Sequence, residues 1–377
     1  MRRGWWLALA AACVGAPPGA SPAPPPDPAT VETSLFLIGD AGAPAPGGEP
    51  VLRGLVELAG KAPGRRLVAF LGDNIYPRGM PDSTAPGRAE AERRLEAQLD
   101  AVAVAGARAI FVPGNHDWAG HGSDGWQAMR RQGAFIARRA GGRAELLPAD
   151  GCPGPEVVDV GRWLRLVALD TQWWLHHGPK PRSPEDGCRV AERRGVARAL
   201  EDAVGAAGDR RVIVLAHHPL LSGGEHGGYF GAGEYLFPLR NLARWLWLPL
   251  PGVGSLYPLS REEGVSPQDF ASPSNRRMRL ALERALVKRG ARPLAWASGH
   301  DHELQVLDGR SARYLLVSGA GIYGHESEVF RLRETRFAAS APGFMRLDVL
   351  HDGRVRLGVI AVDRAGRPAE RFSMWLE

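Results

Sequence analysis

LVAFLGDNIYPRG, residues 67–79, runs from an apolar stretch straight into a carboxylate, an amide and a phenol within four positions. Leu67 to Phe70 show no polar alternation, so the run reads as a strand buried on both faces, as in parallel sheets. Asp, Asn, Pro and Gly also supply ordinary turns, and the stretch alone does not separate a turn from a site. The other strand ends decide between them.

Similar apolar runs stand at 34–38, 109–112, 163–169 and 212–216, and amphipathic helical patterns at 89–104, 125–139, 190–204 and 276–288. Strand alternating with helix predicts an α/β layered domain. The last third changes character, with strand-like runs at 294–297, 304–307, 314–317, 344–350 and 355–362 and no long helices between them. A second, more antiparallel sheet packed on the first within one domain, 34–377, is the expectation.

The punctuation after these strands repeats a theme. Ile38 precedes Gly39-Asp40-Ala41-Gly42, and Leu71 precedes Gly72-Asp73-Asn74-Ile75-Tyr76. Val112 precedes Pro113-Gly114-Asn115-His116-Asp117, Leu215 precedes Ala216-His217-His218, and Ala297 precedes Ser298-Gly299-His300-Asp301-His302. Ligands of α/β sheets bind outside the carboxyl ends of strands, where these side chains converge. Hard oxygens mixed with imidazoles, and no thiolate, suit iron, manganese or zinc in a reactive centre rather than a structural zinc cage. Seven ligand candidates are too many for one ion and about right for two that share a carboxylate.

GDAG, GDNIY, GNHD, VLAH and GHDH in this order resemble the five-block signature of the calcineurin-like metallophosphoesterases, in the purple acid phosphatase variant, from about Leu35 to Gly321. That resemblance implies a four-layer α/β/β/α sandwich of two packed mixed sheets. It also implies a first ion on Asp40, Asp73, Tyr76 and His302, and a second on Asp73, Asn115, His217 and His300, with Asp73 bridging. Gly42 stands where many relatives have a ligand histidine, and Tyr76 replaces it as a phenolate, which favours Fe(III) beside a divalent Fe, Zn or Mn. Asn74 is expected as a turn residue. Glu225-His226-Gly227 and Ser318-Gly319-Ala320-Gly321 resemble the small, tartrate-resistant type, whereas His218 departs from it and the Trp245 to Pro251 stretch has no counterpart there.

The implied reaction is attack of hydroxide on a phosphate monoester, with a small phosphorylated substrate as the partner. His116 or His226 is the general acid, and Asp117 is the candidate to hold His116 in its working tautomer. Diester, nucleotide or pyrophosphate hydrolysis, and a non-hydrolytic redox or binding role, are the alternatives. The charge of +6 is spread along the chain without a dense basic run, which argues against nucleic acid as a partner.

The first residues, MRRGWWLALAAAC, have the layout of an export signal whose apolar run is too short to span a bilayer. Cys13 also fits a lipobox, which would anchor an exported protein to a membrane through a lipidated cysteine, and 14–33, rich in Pro and Ala, reads as a tether. Cys152 and Cys188 then either pair in an oxidising compartment or remain buried thiols.

Overall fold

The computed structural model describes residues 22–231, 256–288, 290 and 292–377. The export signal, Cys13 and the Trp245 to Pro251 stretch lie outside the described residues. The described strands form two seven-stranded mixed sheets.

The first sheet is built on the parallel strands β1 (Val31–Ile38), β2 (Arg65–Phe70), β3 (Arg108–Phe111) and β4 (Ala144–Leu146). The second has β5 (Glu156–Val160) antiparallel to β6 (Leu164–Ala168), followed by β7 (Arg211–Leu215) and β8 (Ala295–Ser298) in parallel. Then come β9 (Leu304–Asp308), β10 (Tyr314–Ser318) and β11 (Thr335–Ala339), giving the order β11-β9-β10-β8-β7-β6-β5. The strands β12 (Gly343–Leu350), β13 (Val355–Val362) and β14 (Pro368–Leu376) return to the first sheet, in the order β14-β13-β12-β1-β2-β3-β4.

The strands of the last third therefore do not form a sheet of their own, contrary to the expectation. Four extend the sheet begun by β6 and β7, and three cover the open flank of β1, with Leu35 paired to Leu347 across more than 300 residues of chain. Strand periodicity reports which faces are buried, and says nothing about which partner a strand will choose.

The two-residue alternation of the central strands sorts side chains between two cores. Leu35, Leu37, Leu67, Ala69, Ile213, Leu215 and Leu347 point between the sheets. Phe36, Ile38, Val68, Phe70, Val214 and Trp296 point outward, under helices. On one side lie α1 (Pro50–Lys61), α2 (Arg88–Val104) and α3 (Gly125–Ala140). The other helices are α4 (Thr171–Leu175), α5 (Arg193–Gly205), α6 (Leu256–Glu262) and α7 (Pro273–Val287). This is the four-layer arrangement expected. The sequence reading lacked α1, although Pro50 at its first position and the Glu49 carboxylate accepting from Val51 N are start signals.

Residues 22–33 belong to the fold rather than to a tether. Val31 opens β1, Ala23 is buried, and its carbonyl accepts from Arg356 Nη2 at 2.7 Å and Ser373 Oγ at 3.0 Å. Composition could not show this, because the attachment runs through the backbone of an alanine. Cys152 and Cys188 form a disulfide with their Cα atoms 5.5 Å apart, tying the loop before β5 to the segment before α5. No described helix is long and apolar enough to cross a membrane.

Candidate metal centre

The ligand candidates of the first sheet, Asp40, Asp73, Tyr76 and Asn115, meet those of the second, His217, His300 and His302, where the carboxyl ends of the strands face each other. Asp40, Asp73 and His300 all hold left-handed backbone angles, with φ of 59°, 53° and 72°. Non-glycine residues adopt that region at a cost, and such strain gathers at functional sites.

Two donor groups result. In one, Tyr76 Oη lies 3.1 Å from Asp40 Oδ1 and 3.1 Å from His302 Nε2. In the other, His217 Nε2 lies 2.9 Å from Asn115 Oδ1, 3.1 Å from His300 Nδ1 and 3.6 Å from Asp73 Oδ2. The groups are joined at the carboxylates, since Asp40, Asp73 and His217 each place one ligand atom within 4.8 Å of the others.

The proton positions identify what this arrangement lacks. A carbonyl only accepts, so His217 donates Nδ1–H to Leu71 O at 2.9 Å and His302 donates Nδ1–H to His325 O at 3.3 Å. In its neutral form each ring presents a bare Nε2 to the site, and His217 Nε2 then faces the Asn115 oxygen, acceptor against acceptor. With the Asn115 amide in this orientation, a proton on Nε2 or a cation shared by both atoms reconciles the pair. Asp40 and Asp73 are buried, and among the described residues no lysine or arginine pairs with either. The donor set therefore fits two cations sharing a carboxylate, with imidazoles oriented from behind by backbone carbonyls.

Residues 33–247, more than half of the chain, match the calcineurin-like phosphoesterase family model. The chain belongs to that family. It is a metal-dependent phosphoester hydrolase.

No curated protein matches the sequence. Among solved structures, the phosphoesterase is similar to GAP50, the anchor in the inner membrane complex of Plasmodium, at 12% identity and a TM-score of 0.56, over 92% of this chain and 89% of that one. It is similar to purple acid phosphatase PPD1 from yellow lupin (Lupinus luteus) seeds, at 16% identity and a TM-score of 0.54, over 90% of this chain and 53% of the lupin chain. A third likeness is to PhoD, at 11% identity and a TM-score of 0.53, over 90% and 68%. At these identities the likeness is one of fold.

The electrostatics of the phosphoesterase site follow from its two buried carboxylates. Burial alone would push the His302 imidazole down, but its hydrogen bond to Asp40 and the charges of Asp40 and Asp73 carry it up to about 9. Burial and the same two carboxylates hold the Tyr76 phenol well above its ordinary value, so the phenolate needs a strong cation beside it. The negative potential that draws a proton onto His302 is also what draws a metal ion there.

Gly42 and Tyr76 are coupled by geometry. A Cβ on Gly42 would collide with the backbone of Asp73, Asn74 and Ile75, and Gly42 O accepts from Tyr76 N at 3.1 Å. No histidine fits at 42 in this packing, and the closeness that excludes it helps fix the loop carrying Tyr76. Asn74 is more than a turn residue: its Nδ2 donates to Val112 O at 2.9 Å and to Asp117 Oδ2 at 2.9 Å, tying two ligand loops together.

Asp117 does not orient His116, which corrects the expectation. His116 donates Nδ1–H to Pro77 O at 2.7 Å, leaving Nε2 towards Asp73 Oδ2 at 3.8 Å. The fully buried Asp117 carboxylate turns the other way and accepts from the backbone N–H groups of Asn74, Ile75 and Gly114. Spacing suggested a dyad because the two residues are adjacent, and adjacent side chains diverge.

His226 lies at the site, its ring stacked on His300 with centroids 3.7 Å apart. His218 packs behind the ligands, its ring 4.5 Å from His300, and bonds Thr171 and Gln268. Sequence reasoning missed Arg261, Gln268 and Asp269, which close this side of the centre, and Arg94 and Gln98, whose side chains bond the carbonyls of Tyr76 and Asn74. The α2 pair carried a signal, two polar groups one turn apart. The others follow a stretch without periodicity and carried none.

Proposed function

We propose that the phosphoesterase is an exported phosphomonoesterase with a Fe(III)–M(II) pair of the purple acid phosphatase type, M being Fe, Zn or Mn. One observation carries this reading: Tyr76 Oη sits within 3.1 Å of both Asp40 and His302, inside the donor set rather than behind it. Among the seven candidate ligands, a phenol is the one that selects a trivalent ion near neutral pH.

Asp40, Asp73, Tyr76 and His302 would hold the first ion, and Asp73, Asn115, His217 and His300 the second. When bound, the pair neutralises the charge on phosphate and makes hydroxide available near neutral pH. The protein's own groups do the rest. Leu71 and His325 carbonyls keep the lone pairs of His217 and His302 on the site. His116, partly exposed and held through Pro77, presents Nε2 where a bound phosphate or its leaving oxygen would lie, and His226 presents a second imidazole across the centre from the other sheet. We assign His226 as the general acid and His116 to phosphate oxygens.

The visible spectrum and metal content of the as-isolated protein test the reading. A broad band that accompanies iron and disappears in Tyr76→Phe supports it; a colourless protein holding two manganese or zinc ions would overturn the ferric phenolate. A panel of monoester, diester and pyrophosphate substrates tests the substrate class, with preferential diester turnover overturning the monoester reading. Export, with lipidation at Cys13 as its anchoring route, agrees with the disulfide, which persists in oxidising compartments. The mass of the native mature N-terminus decides it, and a chain still beginning at Met1 refutes it.

A further inference from the structure

Two adjacent residues beyond α6, Gln268 and Asp269, each grip a histidine whose ring packs against His300, His218 and His226 respectively. Gln268 Oε1 lies 2.5 Å from His218 Nε2, and Asp269 Oδ1 lies 3.1 Å from His226 Nδ1. Phe270 N donates to His226 O at 2.9 Å, so the turn holds His226 by backbone and side chain together. Asp269 is 1% exposed, and Arg261 Nε donates to the same Oδ1 at 2.6 Å.

Arg261 also comes close to His226, with Nη2 2.8 Å from Nδ1 and 3.4 Å from Nε2. A donor near both ring nitrogens at once stands over the ring face, not along either lone pair. The imidazole is therefore layered between the Arg261 guanidinium and the His300 ring, and Asp269 is left as the partner of Nδ1. A carboxylate only accepts, so Nδ1 must carry a hydrogen.

We propose that Asp269 is the positioning residue of His226: by accepting Nδ1–H it makes Nε2 the nitrogen that delivers a proton to the leaving oxygen. This rests on the reading of His226 as general acid. As hydroxide forms its bond to phosphorus, the bond to the leaving oxygen breaks and its electron pair stays on that oxygen. His226 enters the step as the imidazolium, and its Nε2 proton moves there, leaving a neutral imidazole still hydrogen-bonded to Asp269 through Nδ1. Nothing in the motif blocks points to Asp269, which lies some forty residues after the histidine it serves.

The test compares metal-loaded wild type, Asp269→Asn, His226→Ala and the double variant on 2,4-dinitrophenyl phosphate, whose leaving group needs no proton, and on an alkyl phosphate, whose leaving group does. The expected result is an alkyl kcat lowered about 100-fold in Asp269→Asn, with aryl turnover changed less than about 3-fold, and a double variant no slower than His226→Ala. Because both substrates are read on one sample, their ratio is independent of how much of the variant folds. Asp269→Glu, which keeps an acceptor carboxylate, should retain most of the alkyl turnover. Equal slowing of both substrates in Asp269→Asn, or additive losses in the double variant, would overturn the positioning role while leaving the acid intact. A His226→Ala enzyme that treats both substrates alike would overturn the acid itself.

Discussion

Asp117→Asn removes one of the two oxygens that lock the GDNIY and GNHD loops together while leaving volume almost unchanged. In the wild type, Oδ1 accepts from Asn74 N at 3.0 Å and Ile75 N at 3.1 Å. Oδ2 accepts from Gly114 N at 2.8 Å and Asn74 Nδ2 at 2.9 Å. Either orientation of the new amide sets its NH2 group against donors, stranding Ile75 N or the pair Gly114 N and Asn74 Nδ2. The cheaper orientation strands Ile75 N alone, and an unsatisfied buried donor costs ~1–3 kcal/mol, so the variant should lose ~1–3 kcal/mol. Asp73 lies between the disturbed groups, and metal content should fall with stability. Urea unfolding of metal-loaded protein, with metal analysis of the same samples, measures both. A variant with an unchanged urea midpoint and full metal content, impaired only in turnover, would refute the loop-locking role and return Asp117 to His116.

Other consequences follow from single features. Gly42→Ala places a methyl group against the Asn74 and Ile75 backbone, so Tyr76 should shift and the visible band should weaken more than the fold does; an unchanged spectrum would break the proposed coupling. Cys152→Ser should lower stability by ~2–4 kcal/mol without abolishing phosphate release, since the bridge lies outside the centre, and thermal unfolding with an activity assay checks both. Burial pushes Asp170 up to about 7 despite its bonds from Trp173 N and Trp118 Nε1. Its folded value therefore lies above its unfolded one, the folded state holds the extra proton, and this contribution is lost as pH rises from about 4 to about 7. Asp170→Asn should accordingly gain stability relative to wild type across that window, and a constant difference in urea midpoint would contradict the assignment. Chelation should abolish hydrolysis and lower the melting temperature together, because ions that bind only the folded chain stabilise it.

The centre was legible in the sequence to the extent that it is local. Each candidate ligand sits in the loop that follows a buried strand, where an apolar run gives way to Gly-Asp, Gly-Asn, Ala-His or Gly-His within a few residues, and that change can be read locally. What was not legible is carried by distance. The pairing of β1 with β12 joins residues some 300 apart, the attachment of Ala23 is made by its backbone, and Asp269 reaches His226 from a turn whose composition looks like any surface turn. Asp117 shows the opposite error. It was visible, but the sequence could not say which of two nearby groups its carboxylate would face.

The division of ligands between the sheets explains why the site can be both strained and persistent. Of the candidate ligands, Asp40, Asp73, Tyr76 and Asn115 come from the first sheet and His217, His300 and His302 from the second, so bound ions would add to hydrogen bonds that already join the two layers beside their apolar core, such as His217 Nδ1 to Leu71 O and Ser318 Oγ to Leu37 O. The left-handed angles at Asp40, Asp73 and His300 raise the energy of these loops. Hydrogen bonds from His300 N to Asp40 Oδ2 at 2.7 Å and from His116 N to Asp73 Oδ1 at 2.8 Å hold those loops in place. Both bonds spend one oxygen of a carboxylate on the backbone and leave the other for the site. The first crosses between the sheets and the second joins neighbouring loops of one sheet, so the geometry is set before any ion arrives. That is the condition for a centre whose donors need not reorganise as charge develops on the substrate.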